Sequence, residues 1–224
     1  MKNELSKLAV ALALSAASFG SFATPLLITG GTVLEGDCTF ACVSHYQQSY
    51  SASAFGTSPV TINSVSFFVS YSSSWAPNNL WQISLSTGAN KTGSLASNFN
   101  ANLGADNSVF EVKSFSGILD VHSAISFNGA FSYDPTKGDL LVDIVALGNT
   151  GGPAVQYNPT SGGAFNRVFS FENSPTGSIG SNYGNITSFE LSAAEAPVPE
   201  PASGLLIGLG LAGLGIVRRK WSRS

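Results

Sequence analysis

The chain has 224 residues, which is enough for one domain of ordinary size and little more. Only 10% of the residues are charged, whereas 11% are aromatic, and this aromatic content excludes a disordered chain. Between residues 24 and 196, four basic and eleven acidic side chains give a net charge of −7, which argues against binding to nucleic acid or to anionic lipid. Gly, Ser, Asn and Thr take the place of charges, as is frequent in exported β-proteins.

The N-terminus has the features of a secretory signal peptide. Two lysines precede an apolar run over residues 8–17, and small residues occupy the two positions that a signal peptidase reads, Ser21 and Ala23. The apolar run is too short to span a bilayer, which disfavours a permanent N-terminal anchor. We therefore predict export through the Sec translocon and removal of residues 1–23 by signal peptidase, which would cut between Ala23 and Thr24.

Cys38 and Cys42 are the only cysteines of the chain. Because an exported protein meets an oxidising compartment, we expect these two to form a small disulfide loop. Free thiols are one alternative. A metal site with His45 as a third ligand is another, although zinc needs further ligands and His122 is the only other histidine. A nucleophilic Cys42 paired with His45 is a weaker hypothesis still.

The body of the chain shows the alternation of apolar and polar residues that is typical of β-strands. Apolar residues alternate from Val60 to Tyr71 with one shift near Asn63, which predicts a β-bulge or two strands. Residues 140–147 form an apolar run interrupted only by Asp143, which is typical of a buried central strand. Further strand candidates lie at residues 26–33, 46–51, 81–85, 109–115, 125–127, 131–133, 153–157, 167–171 and 186–191.

The connections between these segments are rich in Gly, Pro, Asn and Asp, which are turn residues. No stretch of the body shows a convincing helical period, and no internal repeat is visible. About ten short strands in this arrangement predict an all-β fold, a single antiparallel β-sandwich of jelly-roll-like type. We place this domain at residues 24–191 and a linker at residues 192–198.

Several acidic side chains are candidates for catalytic or calcium-binding groups. Asp139 and Asp143 point to the same face of the predicted strand, but four residues of strand separate them by about 13 Å. That separation suits neither geometry of glycosidases, so we interpret the acids near residue 139 as turn-forming. Loop carboxylates at Asp37, Asp106, Asp134 and Asp139 would suit Ca²⁺, but no dense acidic motif supports such a site.

Two tryptophans flank a loop that contains two asparagines. Aromatic faces and amide side chains together are suited to sugar rings, through stacking and hydrogen bonds. Trp81 alternates with Ile83 and is expected in the core. Trp75 is therefore the candidate glycan contact, although packing in the core is the more frequent role for such a residue.

The C-terminal 26 residues combine three unlike elements. A glutamate between two prolines is followed by small and apolar residues at positions 202–217. As an α-helix, this stretch would be about 24 Å long. A hydrocarbon core is about 30 Å thick, so we predict a marginal transmembrane helix. A basic tail at 218–224 would stop transfer and stay cytoplasmic. The motif consists of Pro199, Glu200 and Pro201, and the stop-transfer cluster of Arg218, Arg219 and Lys220.

This order of elements resembles the PEP-CTERM sorting signal of exopolysaccharide-producing Gram-negative bacteria. The resemblance implies that the tail, residues 199–224, is recognised by the membrane protein exosortase, a proposed cysteine transpeptidase, and is then removed. It also implies transient anchoring in the inner membrane, followed by release or transfer to the envelope, the cell surface or the extracellular matrix.

The body also resembles a recurrent ectodomain of PEP-CTERM proteins. The similar pieces are residues 46–55, 83–87, 98–104 and 133–143. Since that ectodomain has no established activity, the resemblance implies one folded module and leaves its ligand open.

Together these features predict an exported, non-enzymatic protein of the cell surface or exopolysaccharide matrix that needs no cofactor. A carbohydrate-binding module of that matrix is the alternative, and a polysaccharide-active enzyme is a weaker one. No Ser-His-Asp set, phosphate-binding glycine loop or histidine cluster is visible in the sequence.

The signal-peptide hypothesis predicts that the mature protein begins at Thr24. N-terminal sequencing of the protein recovered from cells checks this, and a chain that begins at Met1 or beyond about Pro25 would refute the cleavage site.

Overall fold

The structure, a computed structural model, describes residues 24–31, 33–37, 39–160 and 162–194. These residues form fifteen β-strands and three short 3-10 helices. The 3-10 helices are Phe40–Cys42, Ala52–Phe55 and Phe99–Asn102. The strands are β1 Thr24–Ile28, β2 Leu34–Asp37, β3 His45–Tyr50, β4 Val60–Phe68, β5 Ser73–Ser74, β6 Trp81–Thr87, β7 Ser108–Lys113, β8 Ile118–Leu119, β9 Ala124–Tyr133, β10 Leu140–Ala146, β11 Val155–Asn158, β12 Phe165–Ser170, β13 Ser178–Gly180, β14 Gly184–Asn185 and β15 Thr187–Ala193.

Two large sheets organise the fold. One has the strand order β1-β15-β4-β9 and the other β13-β12-β3-β10-β6-β7, and all their pairings are antiparallel. Smaller sheets are formed by β14-β11-β2 and by β5-β8. The prediction of an all-β, antiparallel fold is therefore confirmed for the described residues.

A single large apolar core joins the two sheets. Residues of the four-stranded sheet, such as Phe67 and Phe127, belong to the same buried cluster as Trp81 of the six-stranded sheet. Phe40 lies between them, with ring centroids 5.0 Å from Phe67, 5.7 Å from Trp81 and 6.0 Å from Phe127. Because aromatic rings bury large areas, this contact anchors the two sheets to each other.

Some polar groups in this core are hydrogen-bonded to each other, whereas the indole Nε1 atoms of Trp75 and Trp81 are buried without a hydrogen-bond partner among the described residues. The hydroxyls of Tyr50 and Thr187 share a hydrogen bond of 2.6 Å between the two large sheets. Burial raises the pKa of the Tyr50 phenol well above its ordinary value, although the bond to Thr187 acts in the opposite direction. Tyr50 therefore remains a neutral hydrogen-bonding group at physiological pH.

The strongest strand predictions agree with the structure. β4 contains a register shift at Asn63, as the alternation predicted, so one bulged strand replaces the alternative of two strands. β10 lies between β3 and β6, in the interior of its sheet, as the apolar run predicted. β15 continues through Ala193 and so includes the first two residues of the predicted linker.

Among the described residues, no helix is long and apolar enough to cross a membrane. The predicted signal peptide and the predicted transmembrane helix at residues 202–217 lie outside the described residues.

Candidate functional site

Several of the predicted functional residues lie outside the described part of the chain. These are Ala23 at the cleavage site, Cys38 of the expected disulfide, and the sorting residues Pro199, Glu200, Pro201, Arg218, Arg219 and Lys220. Thr24 opens β1 and pairs with Leu191 of β15. The disulfide between Cys38 and Cys42 stays a prediction.

The structure corrects the interpretation of Trp75 as a glycan contact. Only 7% of Trp75 is exposed, and its ring stacks on Phe115 with centroids 4.5 Å apart. Gly152 also lies against the indole, so close that a Cβ there would come within 2.6 Å of it. The indole face is thus used for packing and cannot receive a sugar ring. Trp81 is completely buried, as predicted.

His45 packs against neighbouring side chains in the described structure. Its Nε2 atom lies 2.7 Å from Oδ1 of Asp143, and its ring stacks on Phe99 with centroids 3.7 Å apart. Within the described ranges no group of three or more His, Cys, Asp and Glu side chains could hold a metal ion. The Nδ1 atom of His122, the other histidine, lies 2.8 Å from the side-chain amide of Gln156.

Asp143 is the centre of a polar network on the face of the six-stranded sheet that points away from the large core. The side-chain amide of Gln47 donates both to Asp143 Oδ1, at 2.8 Å, and to the carbonyl of Phe99, at 3.1 Å. Asp143 is 7% exposed and therefore needs such partners, because a buried carboxylate without hydrogen bonds is costly. The apolar run of β10 is interrupted here for a structural reason.

Asn102 extends this network into the segment that covers the sheet. Its amide donates to Gln47 Oε1, at 3.0 Å, and to the carbonyl of Ala96, at 2.8 Å. Its Oδ1 accepts from the backbone N–H of Ala96 and from the side chain of Asn90. Asn102 is completely buried, so its side chain helps to fix the segment from residue 90 to residue 102 to the sheet, together with the bond from Gln47 to the Phe99 carbonyl.

The other acidic candidates for catalysis or calcium binding form hydrogen bonds that organise loops. Asp139 accepts the backbone N–H of Ala52 at 2.8 Å and that of Thr92 at 2.6 Å. Asp106 accepts the N–H and the hydroxyl of Thr87. The hydroxyl and the backbone N–H of Thr136 lower the pKa of Asp134. These observations agree with the interpretation of these acids as turn-forming.

A cavity of about 330 Å³ lies at the hairpin between β12 and β13. We call it the hairpin groove, and its lining consists of Phe169, Ser170, Phe171, Glu172, Ser174, Thr176, Gly177 and Ser178. Its surface combines hydroxyl groups, one carboxylate and two phenyl rings. Phe171 is 66% exposed and meets Phe169 edge-on, with centroids 5.7 Å apart. The volume is at the lower end of the range for small-molecule sites.

The loop of the hairpin groove is tied down at both ends. The Ser44 hydroxyl donates to the carbonyl of Phe171 at 2.8 Å, and the N–H of Ser174 donates to the carbonyl of Glu172, also at 2.8 Å. On the other side, Phe99 N–H donates to the Pro175 carbonyl at 3.1 Å, and Gly177 N–H donates to the Ser97 carbonyl at 2.9 Å. The groove is therefore attached to the segment that Asn102 holds.

Gly177 permits this close approach. A Cβ at this position would lie 2.5 Å from the carbonyl oxygen of Phe169 and 2.7 Å from the ring of Phe99. Neither neighbour could move without disturbing a strand or the His45 stack. Only glycine fits where the loop crosses the covering segment.

The hairpin groove was not predicted from the sequence. Its Ser, Thr and Pro residues are typical of any turn, and Phe171 stood at the end of a strand candidate. One signal was available in the sequence. Phe171 and Glu172 are followed closely by the turn-forming residues 174–178, which indicates a phenyl ring at the edge of a loop.

Comparison with protein families gives one result for this chain. Residues 197–220 match the PEP-CTERM protein-sorting motif. The chain therefore carries the sorting motif that its C-terminal sequence predicted, and the matched range includes Glu200 and all three cations of the stop-transfer cluster. No curated protein and no solved structure gives a significant match. The motif implies an exported protein, sorted to the cell envelope through the membrane and processed by an exosortase.

The structural role of Asp139 generates a prediction. Asp139→Asn leaves only one carbonyl oxygen for the two N–H groups of Ala52 and Thr92, and should lower the free energy of unfolding by about 1–3 kcal/mol. Asp120→Asn is the matched control, because Asp120 is exposed and shows no side-chain hydrogen bond within the described chain; it should change stability little. Chemical denaturation measures both. Loss of a polysaccharide-degrading activity at unchanged stability would instead assign Asp139 to catalysis.

Proposed function

We propose that the protein is a non-enzymatic component of the cell surface or exopolysaccharide matrix, delivered by an exosortase that reads and removes its C-terminal tail. The observation that carries this proposal is the sorting-motif match at residues 197–220. The tail combines the Pro-Glu-Pro motif with sixteen small and apolar residues, five of them glycine, before the cations. Glycine weakens helices and buries little apolar area, so this segment is better suited to a transient anchor than to a permanent one.

The proposal includes the route of the protein. Signal peptidase releases the chain before Thr24, the tail pauses in the inner membrane, and Arg218, Arg219 and Lys220 hold its end on the cytoplasmic side. The Pro-Glu-Pro motif then lies extended at the outer face, since proline cannot continue a helix.

The body is proposed to be a jelly-roll-like sandwich without catalytic activity. The proposed Cys38–Cys42 disulfide would stabilise it near its N-terminus. Support for a non-enzymatic role comes from the carboxylates of Asp106, Asp139 and Asp143, each of which accepts hydrogen bonds that organise the fold. The second candidate function is carbohydrate binding. The hairpin groove favours it, because hydroxyls, a carboxylate and the exposed phenyl ring of Phe171 are groups that contact sugars.

Glu200→Ala tests the sorting proposal. This variant should insert into the membrane normally but should escape processing, because the acid between the two prolines is the distinctive polar group of the motif. Precursor should accumulate in the membrane fraction, as measured by immunoblotting after cell fractionation.

Glu195→Ala is the matched control, since it removes an acid five residues earlier and outside the matched range. It should mature like the wild-type protein. Maturation of the Glu200 variant at the wild-type rate would leave the tail as a plain anchor and contradict sorting through this residue.

A further inference from the structure

We infer that the hairpin groove is a binding site for an uncharged polysaccharide segment, with Phe171 as the surface on which a sugar ring stacks. This inference deepens the second candidate function and rests on it. It assigns the contact to the β12–β13 hairpin, whereas the tryptophan that the sequence favoured is buried.

The chemistry of the lining is suited to a sugar. Phe171 exposes 66% of its surface to solvent. Phe169, two residues earlier, is instead partly buried against the core. An exposed phenyl face binds the apolar C–H face of a pyranose by burial of apolar area. The hydroxyls of Ser174, Thr176 and Ser178 can both donate and accept, which matches the hydroxyls of a sugar.

The charge of the groove selects against acidic polymers. Glu172 is the charged residue in the lining, and no ion pair involves it among the described residues. Its carboxylate can accept hydrogen bonds from neutral sugar hydroxyls but would repel uronates or sulfates. Arg167 is not part of the lining of the groove. Its guanidinium lies over the rings of Phe169 and Tyr183, at 4.6 and 3.6 Å from their centroids.

The loop is ordered before any ligand arrives. The hydrogen bonds of Ser44, Ser97 and Pro175 fix it at both ends, and proline restricts it further. Binding to an ordered loop costs less conformational entropy than binding to a mobile one. A shallow groove of about 330 Å³ can therefore contribute useful affinity, particularly when many copies face a polymer.

Affinity electrophoresis of the full chain tests the inference. The probes are dextran, which is uncharged, and alginate, which is anionic, at equal mass concentration. The wild-type protein should be retarded by dextran but not by alginate. Phe171→Ala should weaken the apparent dextran affinity about tenfold, because one stacked ring is lost.

Ile118→Ala is the matched control, because Ile118 is an equally exposed apolar residue, 72% accessible, outside the groove. It should bind dextran like the wild-type protein. Ser174→Ala should weaken binding with the stacking ring in place. Circular dichroism checks that the variants are folded, which is needed above all for Ser174→Ala, because Ser174 is half-buried and its hydroxyl accepts the N–H of Thr176.

Three outcomes would overturn the inference. Retardation by alginate alone would contradict the charge argument, and absence of retardation by dextran would remove the proposed ligand class. Equal dextran affinity in the wild-type protein, Phe171→Ala and Ser174→Ala would show that the sugar binds elsewhere. None of these results affects processing of Glu200→Ala, so failure of the groove and failure of the sorting proposal are distinguishable.

Discussion

The fold depends on hydrogen bonds between polar side chains that are buried on the outer face of the six-stranded sheet. Asp143 projects from the central strand β10, where an unpartnered carboxylate would be costly. Gln47 supplies one partner and His45 another, and Asn102 connects Gln47 to the backbone of the covering segment. The bonds of Asp143 to Gln47 and His45 and the bond of Gln47 to Asn102 join residues that are distant in sequence, so the network closes only when the sheet and its cover are both in place.

The hairpin groove depends on the same network. Asn102 holds the segment that contains Ser97 and Phe99, and these two residues are hydrogen-bonded to the loop before β13. Amide side chains thus provide the rigidity that ion pairs supply in many other proteins, which explains how a body with so few charges stays ordered. A surface with few charges and many hydroxyl groups also suits a protein that the sorting motif sends towards the cell envelope.

The sequence predicted those features that local pattern controls. The bulge at Asn63 and the central position of β10 followed from the spacing of apolar residues, and the sorting motif followed from three contiguous elements. Long-range features were not predictable in this way. Trp75 beside a polar loop looked accessible, but Phe115 and Gly152, which cover it, come from remote parts of the chain. Phe171 looked like the end of a strand, but β12 ends at Ser170 and the ring of Phe171 is exposed beyond it.

Native-state hydrogen exchange of the full chain tests the central claim most directly, namely that the buried amide network holds the groove. The backbone amides of Ala96, Phe99 and Gly177 should open with one common free energy, because they belong to one cooperative unit. In Asn102→Ala all three should lose protection together, while amides in β4 and β15 keep theirs. If Gly177 keeps full protection when Ala96 and Phe99 lose it, the groove is held independently of the network and the account is contradicted.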